Sequence, residues 1–97
     1  MNVCARVISV SYKGGRRLEV LFADGLAREL DFHADWTGSL EPLNQDDFLA
    51  QVSVDSIAQT LCWPSNIDLD PDVLHGEFEP ATGAYFTVVS EYRTLNA

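Results

Sequence analysis

Two histidines and a set of acids are the side chains of this 97-residue chain whose types and spacing could do chemistry. His33 lies in Asp31-Phe32-His33-Ala34-Asp35, where either neighbouring carboxylate could orient an imidazole as general bases are oriented. His75 stands beside Gly76, a place where a cation complements a helix C-terminus. His33, Asp35 and His75 could also converge on a metal, although nothing in their spacing requires it. What this set lacks is a nucleophile. No Gly-x-Ser-x-Gly is present, and Cys4, between Val3 and Ala5, lacks the electropositive surroundings that make a thiolate.

Asp68, Asp70, Asp72 and Glu79 occupy positions one, three, five and twelve of a calcium-loop template. The template then fails. Its position-six glycine is Val73, Pro71 sits inside the loop, and Trp63-Pro64 stands where a preceding helix should be. These acids are expected to cap a helical turn and solvate a loop. Gly14-Gly15 lacks the Lys-Ser/Thr and helix of a phosphate cradle, so no cofactor is expected. The chain is read as not an enzyme.

The elements that position these residues follow from periodicity. Residues 3 to 12 alternate as a strand, and Lys13-Gly14-Gly15-Arg16 supplies the positive φ of a hairpin turn. Leu18, Val20 and Phe22 line one face of a second strand, and Asp24-Gly25 opens another hairpin. A two-residue Asp24-Gly25 loop would set Val20 against Glu29. A three-residue loop, with Gly25 left-handed, pairs Phe22 with Leu26 and Leu18 with Leu30, which puts the apolar residues on one face. The three-residue loop is therefore predicted, with Arg28 opposite Val20 as its polar exception.

Residues 33–43 are expected to be irregular, anchored by Trp36 and Leu40. A short helix over 44–51 follows, with Asn44 as N-cap and Asp47 as capping-box partner. Residues 52–55 and 59–63 read as strands separated by a turn near Ser56, and Asp70-Pro71-Asp72 starts a helical turn that Gly76 ends. The fold class is α+β: a small antiparallel sheet of consecutive hairpins plus later short strands, covered by one short helix. The expected core is Val7 or Ile8, Val20, Phe22, Leu30, Phe48, Val54, Leu61 and Trp63.

Trp63, Asn66, Asp68, Leu69, Asp70, Pro71 and Leu74 form a loop that is either a structural corner or an interaction surface. Trp63 is expected to be buried with Leu69 and Leu74 beneath it, and Asp68 to accept backbone hydrogen bonds. Residues 1–76 are read as one domain, with 77–97 as a C-terminal extension. Its segment 84–92 alternates Tyr85, Thr87 and Val89 against Phe86, Val88 and Tyr92. That strand is expected to join the same sheet, or to pair across a homodimer, with Pro80 and Gly83 turning the chain into it.

Fifteen acids against six bases give a formal net charge of −9. Such a surface repels phosphate backbones, and Lys13, Arg16 and Arg17 at one turn make a poor basic patch, so direct nucleic-acid binding is not expected. A basic protein suits it better. No apolar run approaches the ~20 residues of a membrane span, and Met1–Arg6 carries no secretory signal pattern. A cytoplasmic location follows, with Cys4 and Cys62 as buried free thiols rather than a disulfide.

Phe22-Ala23-Asp24-Gly25, Asp31, Glu41-Pro42-Leu43, Phe48, Val52-Ser53-Val54-Asp55 and Trp63-Pro64-Ser65-Asn66-Ile67-Asp68-Leu69-Asp70-Pro71-Asp72-Val73-Leu74 together have a recognisable pattern. Over roughly residues 5 to 76 the chain resembles the small bacterial domain of unknown function 2442. It departs from the family's Asn-Gly at Ser65-Asn66, which moves the left-handed position to Asn66. The resemblance implies a compact α+β domain without an established activity, found fused to helix-turn-helix domains or in toxin–antitoxin-like arrangements. The expected role is a non-catalytic interaction module, antitoxin-like, that binds a basic partner through an acidic surface. A small enzyme or metal-binding protein using His33, Asp35 and His75 is the alternative.

Overall fold

The computed structural model describes residues 5–76 and 85–93. Two antiparallel sheets hold them. The first has strand order β1-β2-β3-β7, formed by β1 (Val7–Gly14), β2 (Arg17–Phe22), β3 (Leu26–Phe32) and β7 (Phe86–Arg93). The second, β4-β5-β6, is formed by β4 (Ser53–Asp55), β5 (Thr60–Trp63) and β6 (Ile67–Asp68). A 3₁₀ helix (Gly38–Asn44) and two short helices, α1 (Asp46–Leu49) and α2 (Pro71–His75), complete an α+β fold.

The hairpin register is the one the apolar pattern demands. Leu18 pairs with Leu30 and Val20 with Arg28, and Gly25 takes φ +88 in the three-residue loop. Asp24 fixes that loop by accepting the Leu26 amide at 3.0 Å. Leu18, Val20, Phe22 and Leu30 are all buried as a consequence.

Several expectations are corrected. The later strands do not extend the first sheet. They form their own, because Ile67–Asp68 turns back on β5 and supplies a partner that the sequence did not reveal. Asn44 is not a helix N-cap; Gln45 holds that position. The Asn44 amide instead brackets Trp36, accepting its N–H at 2.7 Å and donating to its carbonyl at 2.9 Å, so the segment between them is a closed loop. Leu49 and Leu43 are the buried residues of this region, whereas Phe48 and Val54 are half-buried at the rim of the core.

Two β-bulges decide which side chains turn inward. In β1, Val7 faces Phe22 and Ser9 faces Leu21, which leaves Ile8 as the extra residue. Val7 is 4% exposed and Ile8 56%. In β7 the extra residue is Val89, between Ser90 opposite Glu29 and Val88 opposite Leu30. That step moves Tyr92 to the face opposite Phe86 and Val88, contrary to simple alternation. The segment 84–92 thus joins its own chain's sheet beside β3; Pro80 and Gly83, expected to lead into it, and Cys4 lie outside the described residues.

Candidate functional site

The Trp63–Leu74 segment is a corner that joins the second sheet to the rest of the core. Trp63 ends β5, is buried, and donates its indole N–H to the Leu49 carbonyl at 3.0 Å. Pro64, Ser65 and Asn66 then reverse the chain so that Ile67 pairs with Trp63. Asn66 is left-handed (φ +61), and so is Ser65 (φ +69), so both central residues of this turn have positive φ. Ile67, Leu69 and Leu74 share the core cluster with Trp63.

The acids of this segment divide in function. Asp70 is the N-cap of α2, accepting the Asp72 amide at 2.8 Å with Pro71 at the first helical position. Asp72 accepts the Ala5 amide at 3.1 Å and ties down the approach to β1. Asp68, expected to accept backbone bonds, is instead exposed on β6 opposite Cys62. Asp70 and Asp72 are thus spent on backbone amides, and Glu79 lies outside the described residues. Among the described residues no three His, Cys, Asp or Glu side chains come together as a metal site would need.

His33 and His75 do not converge. His33 follows β3, where its ring meets the Thr87 hydroxyl at 3.0 Å and its amide bonds the Tyr85 carbonyl. His75 lies at the other end of β3, on the order of 20 Å away along the strand, with Nε2 2.8 Å from Asp24 Oδ2. Its ring packs edge-on against Phe22 at 4.8 Å. Asp35 is exposed, with no hydrogen bond to either ring. Cys62 is half-buried on the face of β5 away from Leu61 and Trp63, with Sγ 3.4 Å from the Ser53 hydroxyl, rather than a core thiol.

What the fold does assemble around His75 is a charged clasp. Asp24 also takes Arg93 at 3.3 Å, while Arg28 donates to Glu91 at 3.0 Å and to the Leu74 carbonyl at 2.8 Å. Arg28, the polar exception of its strand, thereby satisfies the C-terminal end of α2. Burial pushes the Asp24 carboxyl up, but the Leu26 amide, the His75 ring and Arg93 bring it below its ordinary value. An open groove of about 400 Å³ lies over this clasp, lined in part by Arg28, His75, Glu91 and Arg93. These four side chains already have protein partners, and among the described residues no hydroxyl or thiol nucleophile but the Tyr92 phenol lines the groove. Contacts between residues 46 to 69 positions apart leave no local spacing, so sequence reasoning missed the clasp.

The charge is unevenly spread. Between Arg28 and Arg93 the chain has thirteen Asp or Glu and no Lys or Arg. Five of the six cations are tied to carboxylates: Lys13 to Glu19, Arg16 to Asp46, Arg17 to Glu29 and Asp31, Arg28 to Glu91 and Arg93 to Asp24. Asp35, Glu41, Asp47 and Asp68 are exposed with no ion pair among the described residues. The turn between β4 and β5 lies in this acidic stretch and holds Ile57 93% exposed. Sequence reasoning passed over it, because one isoleucine in a turn has no periodicity.

No helix among the described residues is long and apolar enough to cross a membrane. Comparison with curated proteins gives no match, and comparison with solved structures gives none. A family model does match, over residues 7–80 of the 97. It covers both hairpins, the 3₁₀ helix, α1, the second sheet and α2, and the chain therefore belongs to the family described as protein of unknown function DUF2442.

Proposed function

We propose that this domain is a non-catalytic interaction module of the antitoxin type, acting in the bacterial cytoplasm and binding a basic protein through its acidic surface. The observation that supports this reading is the stretch from Arg28 to Arg93, which carries thirteen acids and no cation. Its exposed Asp35, Glu41, Asp47 and Asp68 are not neutralised within the described residues. Unpaired carboxylates add nothing to the fold, and their mutual repulsion opposes it. A cationic partner removes that repulsion.

The test is a low-salt pull-down with the wild type beside Glu41→Gln/Asp47→Asn/Asp68→Asn, three exposed positions. A stoichiometric basic protein that elutes with salt and is lost from the triple variant is the expected result. Recovery of no stoichiometric partner overturns the proposal. Salt sensitivity follows because the screening length falls to roughly 10 Å at 0.1 M.

A second copy at the edge of β7 that no described strand pairs is the other reading, favoured by the partial exposure of Val88 and Val89 on that strand. Light scattering at low and high salt separates the two, since a monomer at both rules out the second copy. The enzyme or metal alternative would need His33 and His75, at opposite ends of β3, to act together. Elemental analysis of protein purified without a tag tests it.

A further inference from the structure

We infer that Ile57 and Ile8 form the apolar centre of the surface on which the basic partner docks, an inference that rests on the reading above. Single exposed apolar residues are ordinary on protein surfaces. Ile57 differs in its frame. The Asp55 carboxylate accepts the amides of both Ile57 (2.9 Å) and Ala58 (3.2 Å), and the Asp55 carbonyl accepts the Gln59 amide at 2.6 Å. Gln59 closes the turn in the left-handed region at φ +56. Its carbonyl then accepts the Val7 amide at 2.9 Å, which fastens the turn to β1.

That last bond also places Ile8. Ile8 follows Val7 and is turned outward by the bulge, so the two exposed isoleucines share one corner, within roughly 15 Å by covalent reach. Among the described residues the other large exposed apolar ones, Tyr12, Val88, Val89 and Tyr92, lie elsewhere on strands of the first sheet. Ile57 gains almost no burial from the fold, and Ile8 remains more than half exposed. A rigid turn that presents an isoleucine loses little chain freedom when a socket covers it, and covering it is worth roughly ten- to a hundred-fold in affinity.

Charge selects the occupant. The chain carries −9 and the turn that presents Ile57 is built on the Asp55 carboxylate, so a basic protein with an apolar socket complements it. A second copy of this chain would bring another −9 against the first, and nucleic acid would be repelled in the same way. Arg6 is exposed at the edge of the corner and opposes a basic partner locally.

The experiment places a photoreactive benzoylphenylalanine at position 57, and at Ser11 on the first sheet as control, in the full chain in cells. Mass spectrometry identifies what is joined, and that protein is purified and titrated. The inference expects a protein of net positive charge joined at 57 and not at 11. Ile57→Asp should weaken its binding at least tenfold while leaving the melting temperature unchanged, and Arg6→Glu should tighten it. Joining to a second copy, to nucleic acid or to nothing overturns the inference. So does an Ile57→Asp variant that binds as well as wild type. If Ile57→Asp binds as well as wild type while the acid-neutralised triple variant loses that same partner, the acidic-surface reading stands and only the isoleucine centre falls.

Discussion

The indole N–H of Trp63 donates to the carbonyl of Leu49 at 3.0 Å, and this buried bond ties the second sheet to α1. Trp63→Ala removes the ring and the bond together and should cost roughly 3–5 kcal/mol, a large part of a small domain's stability. Trp63→Phe keeps most of the volume and loses the donor. The Leu49 carbonyl still accepts the Val52 amide at 3.2 Å, so this variant should cost about 1–2 kcal/mol. Urea unfolding of both variants checks the order.

Gly76 ends α2 at φ +100, with the Arg28 guanidinium 3.0 Å from where a Cβ would sit. Gly76→Ala should lose about 1–2 kcal/mol from the left-handed backbone alone. The nearest atom is Arg28 Nη1, which also donates to the Leu74 carbonyl, so displacing it strains that bond as well. The same substitution made in Arg28→Met should therefore cost less, and a double-mutant cycle of thermal melts measures the difference.

Asp24 is an acid with a depressed folded value, so the stability it contributes is present above its ordinary value of 3.8 and is lost as pH falls through the folded one. The difference in urea midpoint between wild type and Asp24→Asn should narrow as pH falls below about 4. A difference that stays constant into stronger acid would assign Asp24 a purely geometric role in the hairpin loop.

Tyr92 reaches across the outer face of the sheet to Glu19 at 3.2 Å, and that hydrogen bond raises its phenol above the ordinary value of 10.0. The neutral phenol is the form the fold prefers. Its contribution is complete below pH 10.0 and disappears as pH rises through the folded value. Phenolate absorbance of the wild type minus that of Tyr92→Phe should titrate above 10.0, and Glu19→Gln should bring the midpoint back toward it.

Removing everything after Gly76 would strip β7 from β3, taking away the pairings of Leu30 with Val88 and Phe32 with Phe86. The shortened chain should melt lower and aggregate through the bared strand. If it stays equally stable and of unchanged oligomeric state, β7 contributes nothing to the sheet.

Turns were legible because their backbone angles demand particular residues. Asp24-Gly25 fixed a loop length and hence a register, while Pro71 and Gly76 marked both ends of α2. Bulges carry no such signature. Ile8 and Val89 look like ordinary strand residues, and each reverses the side-chain alternation on one side of it. The two-residue strand Ile67–Asp68 is too short to show a period, so the second sheet was missed as a separate unit. The loop's core residues were identifiable by their apolar type, but which carboxylate capped what was not. Asp68 and Asp70 differ only in which one precedes the proline, and Asp70 took the cap.

The placement of β7 has a consequence for how this protein is made. Arg28 leaves the ribosome 63 residues ahead of Glu91, its partner across the strand pair. At roughly 5–20 residues per second, β3 therefore spends about 3 to 13 seconds as an open edge in the nascent chain. Residues 29–92 bring no Lys or Arg to that interval. Growing acidic charge then keeps neighbouring nascent chains apart until the last strand arrives.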